Sequence, residues 1–307
     1  MTVVILLFVL MLAAACSEKS APGQPGSSSG SGKLSPQKSA VSLGIPNHPS
    51  FVTRTELHAL LAERTTKPPL PAGRIVSAVL PHHLVAGRLL VQAFEVLAQQ
   101  EPELVVIVGP NHENQGGKVI TGLAGWQTPE GLVTVEEDIV RGLLTKGLAV
   151  RDEEALSREH SVGALLPLLK HFLPEARIVP LILHHNVSLQ EVDNLLQALD
   201  PYLQDKGILI ASVDFSHYLT RSEAQAKDRE TLGYMTKFDY PNLFQLGNDH
   251  LDSPASLATA FRLAEKRGLK EFTVLDNTNS GLILQNDYIE TTSYFTLVFL
   301  EKVKEQN

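Results

Sequence analysis

The sequence predicts an α/β domain with a largely parallel central sheet and helices on both faces. Two observations predict it. Residues 75–79, 104–108, 178–183 and 208–213 are short apolar runs rich in β-branched residues and without alternation, the pattern of strands buried on both faces. Around them lie segments of helical periodicity at 84–99, 136–145, 160–172, 189–202, 222–236 and 254–267. Strands alternating with helices imply crossover connections and hence parallel pairing.

In chain order, the first element is an apolar run from Val3 to Ala15, ended by Cys16 and then Ser17, Glu18 and Lys19. At about 13 residues it is too short to span ~30 Å of hydrocarbon as a helix and matches the apolar part of a secretory signal. Ala13-Ala14-Ala15 before Cys16 resembles a bacterial lipobox, in which the cysteine is lipidated and becomes the first mature residue. No Lys or Arg precedes the run, and Ala13 stands where leucine is usual, so a plain signal peptide is the alternative. Residues 1–16 are therefore expected to be a signal with its lipobox. Residues 17–40, rich in Ser, Gly and Pro, are expected to be a flexible tether, and 41–307 one α/β domain. A lipid on Cys16 would place the domain at a bacterial cell envelope, facing away from the cytoplasm.

Cys16 is the single cysteine of the chain, which excludes an intramolecular disulfide, and once lipidated it would leave no thiolate for metal or nucleophilic chemistry. A formal net charge of -8 gives no electrostatic reason to expect nucleic-acid binding, which needs clustered Lys and Arg. With 43% hydrophobic and 20% charged residues, the composition is that of an ordinary globular domain.

Within the domain, the four apolar runs form the centre of the sheet and 272–276 and 292–300 add two strands near the end. The helix at 254–267 has the clearest boundaries. Asp252-Ser253-Pro254 puts a polar cap before a proline in the first turn, and Gly268 closes the helix. Histidines follow three predicted strands closely: His82, His112 and His217. His48, His58, His171, His184, His185 and His250 lack that placement or a partner motif. Ligands of open α/β sheets bind beyond the carboxyl ends of the strands, so these side chains point to a metal or acid/base site. Each piece also has a purely structural reading. Gly109-Pro110-Asn111-His112 is also a turn, Glu159 suits a helix N-terminus electrostatically, and Asp252 suits an N-cap.

Taken together, Pro81-His82-His83, Gly109-Pro110-Asn111-His112, Glu159-His160-Ser161-Val162 with Pro167, Asp214-Phe215-Ser216-His217 and Asp252-Ser253-Pro254-Ala255 resemble the Memo-like family, known in bacteria as AmmeMemoRadiSam system protein B. The resemblance covers about 75–300 and extends in fold to the class III extradiol dioxygenases. It implies a divalent metal held by His82 and His112, with Asp252 at a third position that is cysteine in many relatives. Two imidazoles and one carboxylate form the facial triad of non-haem Fe(II), so iron is the expected metal, with zinc and copper as alternatives. The resemblance makes His217, with His160, the acid/base candidate, and puts Asp214 and Glu159 around the ligands. Gly163 and Leu165 replace a further Glu and His of the family. His83-Leu84-Val85-Ala86 replaces its aromatic and glycine residues, which leaves His83 as an alternative to His82 or a residue of the pocket.

Two functions are implied. One is a metal-dependent, dioxygenase-like oxidoreductase. The other is a non-catalytic protein that binds a metal, small molecule or peptide in the old cleft. Partnership with radical-SAM and AMMECR-type proteins, implied by the bacterial family name, conflicts with export.

Overall fold

The computed structural model describes residues 46–63 and 72–302. Cys16, the expected signal and the expected tether lie outside the described residues. Ten strands are described: β1 (Arg74–Leu80), β2 (Leu104–Pro110), β3 (Val119–Thr121), β4 (Trp126–Thr128), β5 (Gly131–Val133), β6 (Val150–Arg151), β7 (Arg177–Leu183), β8 (Gly207–Ser212), β9 (Thr273–Asn279) and β10 (Ser293–Glu301). Eight of them form one sheet in the order β6-β3-β7-β2-β8-β1-β10-β9, while β4 and β5 make a separate antiparallel pair.

The centre of the sheet is parallel. β2 pairs in parallel with β7 and with β8, and β8 pairs in parallel with β1. β10 and β9 extend it antiparallel on one side, and β3 pairs antiparallel with β7 on the other. After its first residue every position of β1, β2 and β7 is buried, as is all of β8. Both faces are therefore covered, which explains the unbroken apolar runs.

The helices around the sheet are α1 (Arg54–Ala62), α2 (Gly87–Ala98), α3 (Glu137–Thr145), α4 (Glu153–Arg158), α5 (His160–Gly163), α6 (Leu166–Phe172), α7 (Leu189–Leu199), α8 (Arg221–Lys237), α9 (Tyr240–Leu243), α10 (Pro254–Lys266) and α11 (Ser280–Ile283). α10 packs across β1, β8 and β2 with α7 against it. The Ser77 hydroxyl of β1 donates to the Ala260 carbonyl of α10 at 2.9 Å. Phe94, Val106, Ile107, Leu209, Ile210 and Phe261 are fully buried in the shared core, each stabilising the fold by about 1.5–3 kcal/mol relative to exposure. No helix among the described residues is long and apolar enough to cross a membrane.

Three expected helices differ in detail. The segment 160–172 is two helices, because Pro167 lacks an N–H and its ring would collide with the Gly163 carbonyl in a continuous helix. α6 instead restarts with Pro167 in its first turn. The segment 84–99 begins as a 3-10 turn at Leu84–Ala86, and 189–202 ends in one at Asp200–Tyr202, which contains Pro201. Strands β3 to β6, of two or three residues, and helices α1, α4, α9 and α11 add to the expected set.

Candidate metal centre

Parallel strands β1, β2 and β8 end on one edge of the sheet, and a polar residue stands two positions past each: His82, His112 and Asp214. Two helix starts complete the cluster. Glu159 is the N-cap of α5, accepting from Ser161 N, with His160 directly after it. Asp252 precedes Ser253, the N-cap of α10.

His82 is fixed from two directions. Its backbone N–H donates to Asp214 Oδ1 at 3.0 Å, and its Nδ1 lies 3.0 Å from Ser212 Oγ. The Ser212 hydroxyl spends its own proton on the Ser161 carbonyl at 2.5 Å, so it accepts from His82 Nδ1–H. That tautomer leaves Nε2 with a free lone pair. His112 is held likewise. Its Nδ1 is 2.8 Å from Glu159 Oε1 and its backbone N–H donates to Oε2 at 2.9 Å. A carboxylate on Nδ1 directs the Nε2 lone pair outward and raises its basicity.

The free atoms converge. His82 Nε2 is 3.3 Å and His112 Nε2 3.9 Å from Asp252 Oδ2, and donor atoms of His82, His112 and His160 all lie within 4.8 Å of one another. The His160 ring stacks on His112 with centroids 4.2 Å apart. Asp252 is braced against the loop after β8, its N–H donating to Asp214 O and its Oδ2 accepting from Asp214 N, both at 3.1 Å.

Protonation follows from these surroundings. Burial, with His112 and His160 nearby, pushes the His82 pKa well below the usual histidine value. Burial also lowers His160 and His217. His82, His160 and His217 are thus neutral at pH 7, the form of imidazole that binds metal. Burial pushes Glu159 up, but the bonds from His112 and Ser161 outweigh it and hold the carboxyl at about 2. Burial and the adjacent Asp214 push Asp252 far above the ordinary carboxylate range. Two outward Nε2 lone pairs and a carboxylate oxygen within 4 Å of both are a donor set that fits a divalent first-row ion.

The remaining expected residues sit around this cluster. Asp214 Oδ2 is 3.7 Å from His82 Nε2. His217 is held by its backbone N–H on Asn248 O at 2.8 Å, and its buried Nδ1 has no partner among the described residues. His83 lies outside the donor cluster, with Nδ1 2.6 Å from Tyr294 Oη. A small cleft of about 70 Å³ beside the donors is lined by Asn111, His112, Asn114, His185, Asn248 and Asp252, with Pro110 and Leu183. Sequence reasoning missed Ser212, Ser161 and Tyr294, whose roles depend on pairings 50 or more residues away; position at a strand end was the one local signal for Ser212.

Imidazoles and carboxylates gathered beyond the ends of parallel strands define an α/β protein with a candidate metal site. Comparison with known proteins places the chain in a family. The Memo-like protein family matches residues 52–298. A MEMO1 family protein of Methanopyrus kandleri is 30% identical over 232 residues, covering 72% of this chain and 82% of that protein. A second, from Pyrobaculum aerophilum, is 26% identical over 250 residues, 78% of this chain and 88% of its own. This chain belongs to the Memo-like family.

Proposed function

We propose that the protein is a metal-binding Memo-like lipoprotein of the bacterial cell envelope, with a divalent ion, iron by ligand type, held by His82 Nε2, His112 Nε2 and the Asp252 carboxylate. The observation that carries the reading is the convergence of two tautomer-fixed imidazoles on Asp252 Oδ2 within 4 Å. Lipidation at Cys16 rests on the apolar run and the small residues before it.

A bound ion would supply Lewis acidity to an oxygen ligand in the cleft. Glu159 and Ser212 hold the two ligand rings, and Asp214 holds the His82 backbone and the Asp252 carboxylate. His160 and His217 are the neutral imidazoles beside the donor cluster left to carry a proton to or from a metal-bound ligand. This proton-handling pair favours an oxidoreductase of dioxygenase-like ancestry over a purely binding protein.

Metal analysis of the purified full chain tests the centre. About one ion per chain is expected, falling to background in the His82→Ala, His112→Ala, Asp252→Ala triple variant with an unchanged circular dichroism spectrum. Unchanged stoichiometry in the folded variant sinks the assignment. Labelled fatty acid should enter the parent in cells and not Cys16→Ala; label in both, or in neither, defeats the lipoprotein reading.

A further inference from the structure

The segment 153–163, which carries Glu159 and His160, is gripped at both ends by residues that no part of the proposed chemistry uses. At the start of α4, Glu153 Oε2 lies 3.2 Å from Nε2 of buried His48. Glu153 also accepts from Leu123 N at 2.9 Å, Ala124 N at 3.3 Å and Arg151 Nε at 2.6 Å. At the end of α5, the ring of Phe51 rests on the bare backbone of Gly163, so closely that an added Cβ would overlap it. The other side of α5 is equally tight, since a Cβ on Gly109 of β2 would strike Ser161. α5 is therefore wedged between β2 and Phe51.

His48 and Phe51 belong to one extended strap, residues 46–53. The strap is docked by backbone bonds from His48 N to Gly125 O at 2.7 Å and from Gln127 N to His48 O at 2.8 Å. The His48 ring packs on Trp126, with centroids 4.3 Å apart. A four-residue helix such as α5 has too few internal bonds to fix its own position. Outside contacts must set where its N-cap carboxylate lies.

We infer that the strap is a positioning element of the metal centre: Phe51 on Gly163 and His48 on Glu153 hold the segment 153–163 so that Glu159 meets His112 Nδ1 and His160 faces His82. Phe51 touches none of the donor atoms and acts through α5. Losing the wedge lets Glu159 drift from His112, and partners of that kind are worth about 10–100-fold in metal affinity. The inference rests on the proposed metal site.

Titration of the full chain with Co(II), followed by its visible absorption, tests it. Phe51→Ala is expected to weaken Co(II) binding at least about tenfold and to change the band shape, with Phe51→Leu recovering most of both. Phe272→Ala, which removes a ring packed on Phe261 and Phe299, should lower the melting temperature and leave Co(II) affinity and spectrum unchanged. Gly163→Ala, which displaces the Phe51 ring instead of deleting it, is expected to weaken binding similarly and serves if Phe51→Ala does not fold. Parent-like affinity and spectrum in whichever of Phe51→Ala and Gly163→Ala fold overturn the inference, as does an equal loss in Phe272→Ala. A parent chain that binds no Co(II) overturns the metal site itself, and the inference with it.

Discussion

The two sides of the candidate centre are built to different standards of rigidity. The His82 side chain is 1% exposed and wired through Ser212 to the Ser161 carbonyl, whereas the His112 and His160 side chains are 32% and 48% exposed and stack on one another. One side is part of the sheet core; the other is the rim of a cleft. A donor buried in the core fixes where an ion sits, and donors on the rim govern what reaches it. The carboxylate of Glu159 is what makes the rim side specific.

The contrast predicts unequal losses. His82→Ala should abolish metal binding, a loss of more than about a hundredfold because first ligands outweigh the 10–100-fold of their supports. His160→Ala should cost far less, and equal losses in a Co(II) titration would erase the distinction between core and rim. Glu159→Gln keeps the shape of the N-cap and removes the charge on His112 Nδ1. A weakening of about 10–100-fold is expected, with little change in melting temperature; an unaltered Kd would show that His112 needs no carboxylate.

Acid should loosen the strapped rim while the His82 side stays intact. Burial raises the Glu153 pKa, but bonds from His48, Leu123 N, Arg151 and Ala124 N outweigh it and hold it at about 2, against 4.5 for a free carboxyl. A depressed carboxyl stabilises the fold fully above its unfolded value, and that stability is lost as the pH falls through about 2. Melting temperatures between pH 5 and pH 2 should fall less steeply for Glu153→Gln than for the parent; parallel curves would remove Glu153 from the account. The smallest effect belongs to the outer face of α4. Glu154 pairs there with Arg158 at i,i+4, and Glu154→Ala should change stability by no more than about 0.5 kcal/mol in a urea melt, with Co(II) affinity untouched.

Legibility in the sequence followed the same division. The four central strands were readable because burial on both faces leaves unbroken β-branched runs such as Val105-Val106-Ile107-Val108. β3 to β6 were not, since two or three residues cannot display a period. The break at Ala164-Leu165 had a local signal in Pro167, which ends or kinks a helix pattern; the apolar periodicity on either side of it masked the stop. For the site, strand ends and the family resemblance brought His82, His112, Asp214 and Asp252 into view. The tautomer lock depends on the Ser212 hydroxyl meeting the Ser161 backbone carbonyl, a pairing that exists only once the chain is folded. Phe51 and Gly163 were unreadable for the same reason, being 112 positions apart and meaningful as a pair alone.

β10 is the last strand among the described residues but lies inside the sheet, between β1 and β9. Ser293 at its start exchanges backbone bonds with Phe215 and Ser216 at 2.9 Å, and Tyr294 holds His83. The wall that carries His217 is therefore tied to a strand about eighty positions further along the chain. Without β10, β1 would be an open, apolar edge, the kind of surface that recruits other chains, and the proton-handling loop would lack its brace. Loading of the centre therefore belongs to a chain in which β10 has already inserted between β1 and β9.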